Sequence, residues 1–492
     1  MTDLAYIAAA VVPAVPLAGG ALVQLPRSPR TQDWVNRVAA AITALVAFGV
    51  CALPLAGVQR TGGDWVVLDV AGAPFLGVIA LVGLCSALLS PGYLRTSRHS
   101  FFRPSRSRAW YYLCFHVFWA ALLAVPLAGN LGVAWIIIEA TTGISALLVA
   151  YSGRRRALEA GWKYLVLTSA GLTIALLGIV VLFAVLPEHG SGLGGLSWRS
   201  FSASAWAMPR SAALAGFLLL FCGLATKVGW APVHNWLPDA HSEAPPPISA
   251  LLSAALLPAV MLVAWRAERA LVPAVGARLG HGVFIAFGLA SLVIAVPFLW
   301  RALAWKRLLA YSSLEHMGVL ALGIGFGSPL ALAGVVLHLA GHAVAKSLGF
   351  YTAIPLFDMR PSAQLYPVRG VASENPALAA GMAVSLGSLS GLPPSPLFFS
   401  EVLIVMGGFT SGYRWPAAVA ALLLALGFLG LAHALVHGLL GAGRNPRRGG
   451  LAGGRGVAVL SVAAGILLLA LAATGVVLPG STLVQTLAGG VP

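Results

Sequence analysis

Leu224-Ala-Thr-Lys227-Val-Gly-Trp-Ala-Pro232-Val-His234-Asn-Trp-Leu-Pro238-Asp239-Ala-His241 starts as an apolar helix and stops being one within a turn. A helix runs up to Lys227. Gly229 and Pro232 interrupt it, because proline lacks a donor and its ring clashes with the preceding turn. Pro238 and the run Pro245-Pro246-Pro247 extend the disruption. At membrane depth a discontinuous helix is tolerated only beside a cavity or buried protein. A lysine on the last turn before such a break reaches both water and the helix C-terminal carbonyls. The plainer alternative is a lysine snorkelling to an interface.

The rest of the 492 residues supplies the membrane. Hydrophobic residues make up 59% of the chain and charged residues 9%, against roughly 25% charged in soluble domains. Apolar runs of about 20 residues, each long enough to cross a bilayer as a helix, recur near 4–25, 38–58, 73–90, 109–128, 131–151, 162–186, 211–230, 249–265, 281–300, 310–327, 328–355, 376–410, 416–439 and 457–479. An all-α polytopic membrane protein of about 14 transmembrane helices follows. The runs at 162–186, 328–355 and 376–410 exceed a simple span, so tilts, breaks or surface segments are expected there. The first run lacks a basic leader and a cleavage site, and reads as a retained span.

The net charge of +16 raises nucleic acid as a partner, but its distribution argues against it. With fourteen alternating helices and both termini outside, nineteen arginines fall in inside loops: Arg27, Arg30, Arg37, Arg95, Arg98, Arg103, Arg106, Arg108, Arg154, Arg155, Arg156, Arg301, Arg307, Arg360, Arg369, Arg444, Arg447, Arg448 and Arg455. Seven fall outside: Arg60, Arg199, Arg210, Arg266, Arg269, Arg278 and Arg414. This is the positive-inside pattern of topology anchors in a cell (inner) membrane protein, and no nucleic-acid role is expected. Cys51, Cys85, Cys114 and Cys222 each fall inside an expected span without CxxC spacing, and read as small buried hydrophobes. With no dinucleotide fingerprint and no Walker loop, the chain is expected to hold no cofactor or metal of its own.

Only four of thirty basic residues are lysine: Lys163, Lys227, Lys306 and Lys346. Arginine stays charged in nearly any environment, whereas lysine can release and regain a proton when desolvated. Ionisable groups within membrane spans are costly and are functional candidates by default. Glu139, in Trp135-Ile-Ile-Ile-Glu139, sits near the middle of a span with no basic residue beside it, and is read as a charge partner for a lysine on a neighbouring helix. In His338-Leu-Ala-Gly-His342-Ala-Val-Ala-Lys346 the spacing of four puts three protonatable groups on one face, about 6 Å apart per step. A His-x-x-x-His pair can bind zinc, but a third ligand is needed. With no nearby carboxylate or cysteine in the motif, no metal is expected.

Glu401 follows Gly391-Leu-Pro393-Pro394-Ser-Pro396, a second break with an ionisable group beside it. Two broken helices suggest an internal repeat and a transport path. Glu315 and His316 are placed near the inside end of a helix as solvated groups. Lys306, beside Arg307, reads as an anchor. Lys163 is either interfacial or part of the central path. His433 and His437 either extend the polar line or merely pack.

The segments at 135–142, 224–254, 305–327, 338–353 and 391–405 resemble the proton-translocating, antiporter-like membrane subunits of respiratory complex I, of multi-subunit Na+/H+ antiporters of the Mrp type and of membrane-bound hydrogenases. Trp236-Leu-Pro-Asp-Ala-His241 followed by Ser242-Glu-Ala-Pro-Pro-Pro-Ile-Ser-Ala-Leu-Leu-Ser253, and Lys306-Arg-Leu-Leu-Ala-Tyr-Ser-Ser-Leu-Glu315-His316-Met-Gly318, are close to the hydrogenase-4 and formate-hydrogenlyase branch. The resemblance implies two inverted five-helix repeats, each with a broken helix: helices 1–3 at 1–108, the first repeat at 109–265, the second at 281–439, and a C-terminal loop and helix at 440–492. It further implies proton translocation through Glu139, Lys163, Lys227, His234, His338, His342, Lys346 and Glu401, with Ser253 standing where complex I relatives often carry histidine. The implied partners are other membrane subunits and a peripheral redox module with iron–sulfur and nickel–iron subunits, since this chain lacks a redox centre. The implied cargo is the proton, with Na+ the alternative in an Mrp-type antiporter.

Overall fold

The computed structural model describes residues 2–59, 65–96, 106–186, 193–440, 454–475 and 477–488. Arg60, Arg98, Arg103, Arg444, Arg447 and Arg448, all assigned to loops above, lie outside the described residues, as does the C-terminal loop at 441–453.

Helices make up most of the described residues. The helices are α1 (Thr2–Leu22), α2 (Pro29–Leu55), α3 (Gly72–Thr96), α4 (Ser107–Ala124), α5 (Leu131–Val149), α6 (Arg155–Ala184), α7 (Trp198–Ser204) and α8 (Arg210–Val228). They continue with α9 (Leu237–Glu243), α10 (Pro246–Leu251), α11 (Leu257–Val275), α12 (Ala277–Leu299), α13 (Trp305–Phe326) and α14 (Pro329–Met359). The last are α15 (Val371–Glu374), α16 (Pro376–Leu389), α17 (Pro396–Thr410), α18 (Arg414–Leu439), α19 (Gly454–Thr474) and α20 (Thr482–Ala488). Among the described residues, eleven are long and apolar enough to cross a membrane, counting α10–α11 as one. Of the three long apolar runs, only 376–410 is broken. The other two are the continuous helices α6 and α14, of 30 and 31 residues.

Local sequence sets the helix ends. Asn130 caps α5 by accepting from Gly132 N (2.8 Å) and Val133 N (3.2 Å). Ser328 caps α14, with Pro329 in the first turn where its missing N–H costs nothing. Gly229 ends α8 at φ 78°, a left-handed position that suits glycine.

The centre of the bundle is α10–α11, α13 and α14. The spanning portions of α10–α11 and α13 are buried throughout, whereas α18 and α19 keep most of their apolar surface outward, as lipid-facing helices do. Close packing uses glycine. A Cβ on Gly178 of α6 would lie 2.5 Å from Leu220 N of α8, so the two backbones meet directly. Cys222 corrects an expectation: it is exposed on α8, not buried.

The two breaks are built alike. α8 stops at Gly229 and resumes as α9 at Leu237; α16 stops before Gly391 (φ 74°) and resumes as α17 at Pro396. In each, a proline follows the glycine by three residues, Pro232 and Pro394. The open backbone is satisfied by protein. Trp236 Nε1 donates to Thr226 O (2.7 Å), Ala231 N donates to Ser291 Oγ (3.1 Å), and Ser395 caps α17 by accepting from Phe398 N (3.3 Å).

Candidate functional site

Lys227 is completely buried in the last turn of α8. Its ammonium donates to Thr142 Oγ1 of α5 (2.7 Å) and to Tyr164 OH of α6 (2.5 Å). Ser145 Oγ gives its own proton to Thr141 O (2.5 Å), so it accepts from Tyr164 OH (2.7 Å). A directed chain therefore runs from the amine through the phenol to a serine. Glu139 lies one helical turn before Thr142 on α5. No direct ion pair joins it to Lys227 among the described residues, which corrects the simplest form of the expected pairing. Glu139 Oε1 accepts from Ser169 (2.7 Å), and Oε2 has no partner. The ammonium's side-chain partners are thus two hydroxyls, Thr142 and Tyr164, while the carboxylate's is Ser169.

The second lysine repeats this layout. Lys346 of α14 is fully buried and donates to Leu309 O (3.1 Å) and to Ser312 Oγ of α13. Glu315 lies one turn beyond Ser312, buried, with its carboxylate seated on Gly427 of α18 and Oε2 unpartnered. Each buried lysine thus bonds a hydroxyl three residues from a glutamate.

Glu315 and His316 are not solvated, and the reason is the helix start. α13 begins at Trp305, not near 310, so Glu315 is ten residues in, about 15 Å along the axis. Every residue of α13 except Arg307 is buried. His316 Nδ1 and His338 Nε2 are 3.2 Å apart. Ser400 Oγ gives its proton to Leu397 O (2.8 Å), so it accepts from His338 Nδ1 (2.8 Å). His338 Nε2 is then free to accept from His316 Nδ1–H, leaving His316 Nε2 without a partner. His342 lies alongside, its ring 5.3 Å from that of His316, with both nitrogens unpartnered. Glu401, partly buried, rests on Gly391 at the second break, where a side chain would meet its carboxylate.

The missing third metal ligand is therefore present in space. Ligand atoms of His316, His338 and Glu401 lie within 4.8 Å of one another, so two imidazoles and a carboxylate could hold a divalent ion. The His316–His338 separation is also that of a hydrogen bond, and the fixed tautomers suit a shared proton equally well.

Two further buried polar groups are His241, which the sequence reading passed over, and Ser253, which it named as standing where relatives carry histidine. His241 of α9 is fully buried with both nitrogens unpartnered. Its ring lies 6.1 Å from that of Trp236, which packs 4.8 Å from Tyr164, and 5.8 Å from that of Phe350 on α14. Ser253 lies in a π-helical turn joining α10 to α11. Its hydroxyl donates to Ser313 Oγ (2.7 Å), because Ser313 spends its own proton on Leu309 O (2.9 Å). Such turns are frequent at functional sites.

Other candidates lie off this line. Lys163 is half-exposed, ion-paired with Glu159 (2.6 Å) and Asp239 (3.8 Å). His234 is partly buried in the non-helical stretch of the first break, with Nδ1 unpartnered. His433 and His437 are exposed on α18. Lys306 is not a headgroup anchor: it is buried and donates to Ser242 O (2.9 Å) and Ala244 O at the end of α9.

A multi-pass inner-membrane protein with buried charges strung through its centre is the class defined by this geometry. The family described as NADH:quinone oxidoreductase/Mrp antiporter, TM matches residues 128–428, and the chain belongs to it. It is 30% identical over 425 residues to the hydrogenase-4 component F homolog of Methylacidiphilum infernorum (isolate V4), covering 86% of this chain and 88% of that one. The fold is similar to a chain of the Mrp complex from Dietzia sp. DQ12-45-1b, with TM-score 0.83, 20% identity and coverage of 99% and 97%. It is also similar to a chain of respiratory complex I from Thermus thermophilus, with TM-score 0.78, 22% identity and coverage of 98% and 100%.

Proposed function

We propose that the chain is the proton-translocating membrane subunit of a hydrogenase-4-like or complex I-like oxidoreductase. Protons move along the buried line Lys227, Tyr164, His241, Lys346, His342, His316, His338 and Glu401, with Glu139 and Glu315 as the charges that bias the two lysines. The observation that carries this reading is the succession of buried ionisable groups on the helices packed between the two breaks, in a core that is otherwise largely apolar. A single buried charge is expensive; ten ionisable groups along one line call for a common use.

In this reading Lys227 loads from the inside, the side of the arginine-rich loops, with both termini outside. While Glu139 turns toward Thr142 and Lys227, the proton is held. When the carboxylate turns away toward Ser169, the charge moves on toward Lys346. Moving one charge against 100 mV needs about 2.3 kcal/mol, a step a rearranging buried ion pair can supply. The like build of the two breaks and of the two lysine–hydroxyl–glutamate arrangements supports two inverted repeats, at 109–265 and 281–439, within fourteen helices. The driving energy comes from partners: other membrane subunits and a peripheral redox module with iron–sulfur and nickel–iron subunits. The similarity to a hydrogenase-4 component supports that branch.

The similarity to a chain of an Mrp complex favours a second reading, a subunit of a multi-subunit Na+/H+ antiporter. Vesicles carrying the intact complex separate the two. Proton movement that needs an electron donor and ignores sodium supports the redox-driven reading. Sodium-driven proton movement without a donor contradicts it.

A further inference from the structure

Glu268 has no place in the relay, yet it is an unusual carboxylate. It lies near the end of α11, only 3% exposed, and its Oε1 has no partner among the described residues. Two arginines flank it in sequence, but both are engaged elsewhere. Arg266 donates to Asp69 Oδ1 (2.7 Å) and to Pro126 O (2.8 Å). Arg269 donates to Leu487 O (3.1 Å) and stacks over Trp265. The carboxylate is instead seated on Gly280 of α12, where any side chain would displace it. This is a made place for an unpaired acid.

Glu268 lines a cavity of about 340 Å3 at the end of the bundle opposite the arginine-rich loops. The other titratable groups facing it are Asp69 from the loop before α3, Arg266 and Arg269 from its own helix, and His281 from α12, which bonds Tyr413 OH (3.3 Å). The cavity floor includes Ile324 of α13 and Leu332 of α14. These residues are eight and six positions from His316 and His338 on the same two helices. Helical rise puts these two residues about 9 to 12 Å along the axis from the histidine pair.

We propose that this cavity is the proton-release vestibule of the second half and that Glu268 is its gatekeeping acid. This rests on the proton-translocating reading above. A proton arriving from the histidine pair through water protonates the Glu268 carboxylate, forming an O–H bond. That bond then breaks to water in the vestibule, restoring the carboxylate. Asp69 cannot substitute, because Arg266 holds it as an ion pair.

The intact complex in proteoliposomes, driven by its electron donor, tests this. Glu268→Gln should lower the proton translocation rate at least tenfold with the complex still assembled, and Glu268→Asp should recover at least a third of it. Lys227→Ala is run in parallel. Wild-type translocation by Glu268→Gln while Lys227→Ala is inactive overturns the vestibule and leaves the relay standing. Wild-type translocation by Lys227→Ala overturns both. Independently, Ser202→Cys, which lines the cavity, should react in intact cells with a membrane-impermeant maleimide above the parent background. Reaction only from the opposite face, or none, overturns the proposal.

Discussion

Lys227 donates to Thr142 at 2.7 Å, one helical turn from Glu139 and not to Glu139 itself. The amine is thus bonded to a hydroxyl on the acid's own helix, while the acid itself bonds Ser169. In the proposed mechanism a permanently closed pair would trap the proton, and the carboxylate moves between Ser169 and the lysine.

Tyr164 is the other acceptor at Lys227 and donates its own hydrogen bond to Ser145. Tyr164→Phe keeps the ring against Trp236 and removes the hydroxyl. Proton translocation should fall about tenfold, while thermal unfolding of the purified complex shows a loss of only about 1.5–3 kcal/mol, the scale of one hydrogen bond to a charged group. Unchanged translocation would remove Tyr164 from the path.

Glu315 mirrors Glu139 across the two lysines. Glu315→Gln should depress translocation as strongly as Glu139→Gln, each by tenfold or more, with electron transfer assayed alongside. A solvated, idle Glu315 would tolerate the change.

The lysine on α8 is placed by the glycine contact with α6. Gly178→Leu should cost more than about 2 kcal/mol, because overpacking cannot be relieved against backbone, and should appear as a lower unfolding temperature and less protein in the membrane. Gly282 of α12 has open space around it. There Gly282→Ala should be neutral or stabilising by about 0.5–1 kcal/mol.

Fold and site were legible to different depths. Most spans, eleven among the described residues against about fourteen expected, were legible because bilayer crossing imposes a length and an apolar composition that sequence carries directly. The breaks were legible because glycine and proline act locally, at Gly229–Pro232 and Gly391–Pro394. Lys227, His338, His342 and Lys346 stood out because each is ionisable on an apolar helix. Glu315 and His316 were misplaced because the polar residues of α13 hide its true start at Trp305, and a helix buried on all sides has no periodic face to read. A mid-helix position for Ser312-Ser313-Leu-Glu315-His316 would have been the signal. His241 was passed over because it follows the break on a short helix whose burial depends on α14. The metal-capable cluster of His316, His338 and Glu401 draws on three helices, a convergence that no linear spacing encodes.

In the proposed mechanism Lys227 and Lys346 are stations on one proton path. The most direct measurement is initial proton translocation by the intact complex in proteoliposomes, normalised to its electron-transfer rate, for Lys227→Ala and Lys346→Ala singly and together. One path predicts that each single variant abolishes translocation and that the double variant adds nothing. Translocation at the parental ratio in either single variant would contradict it.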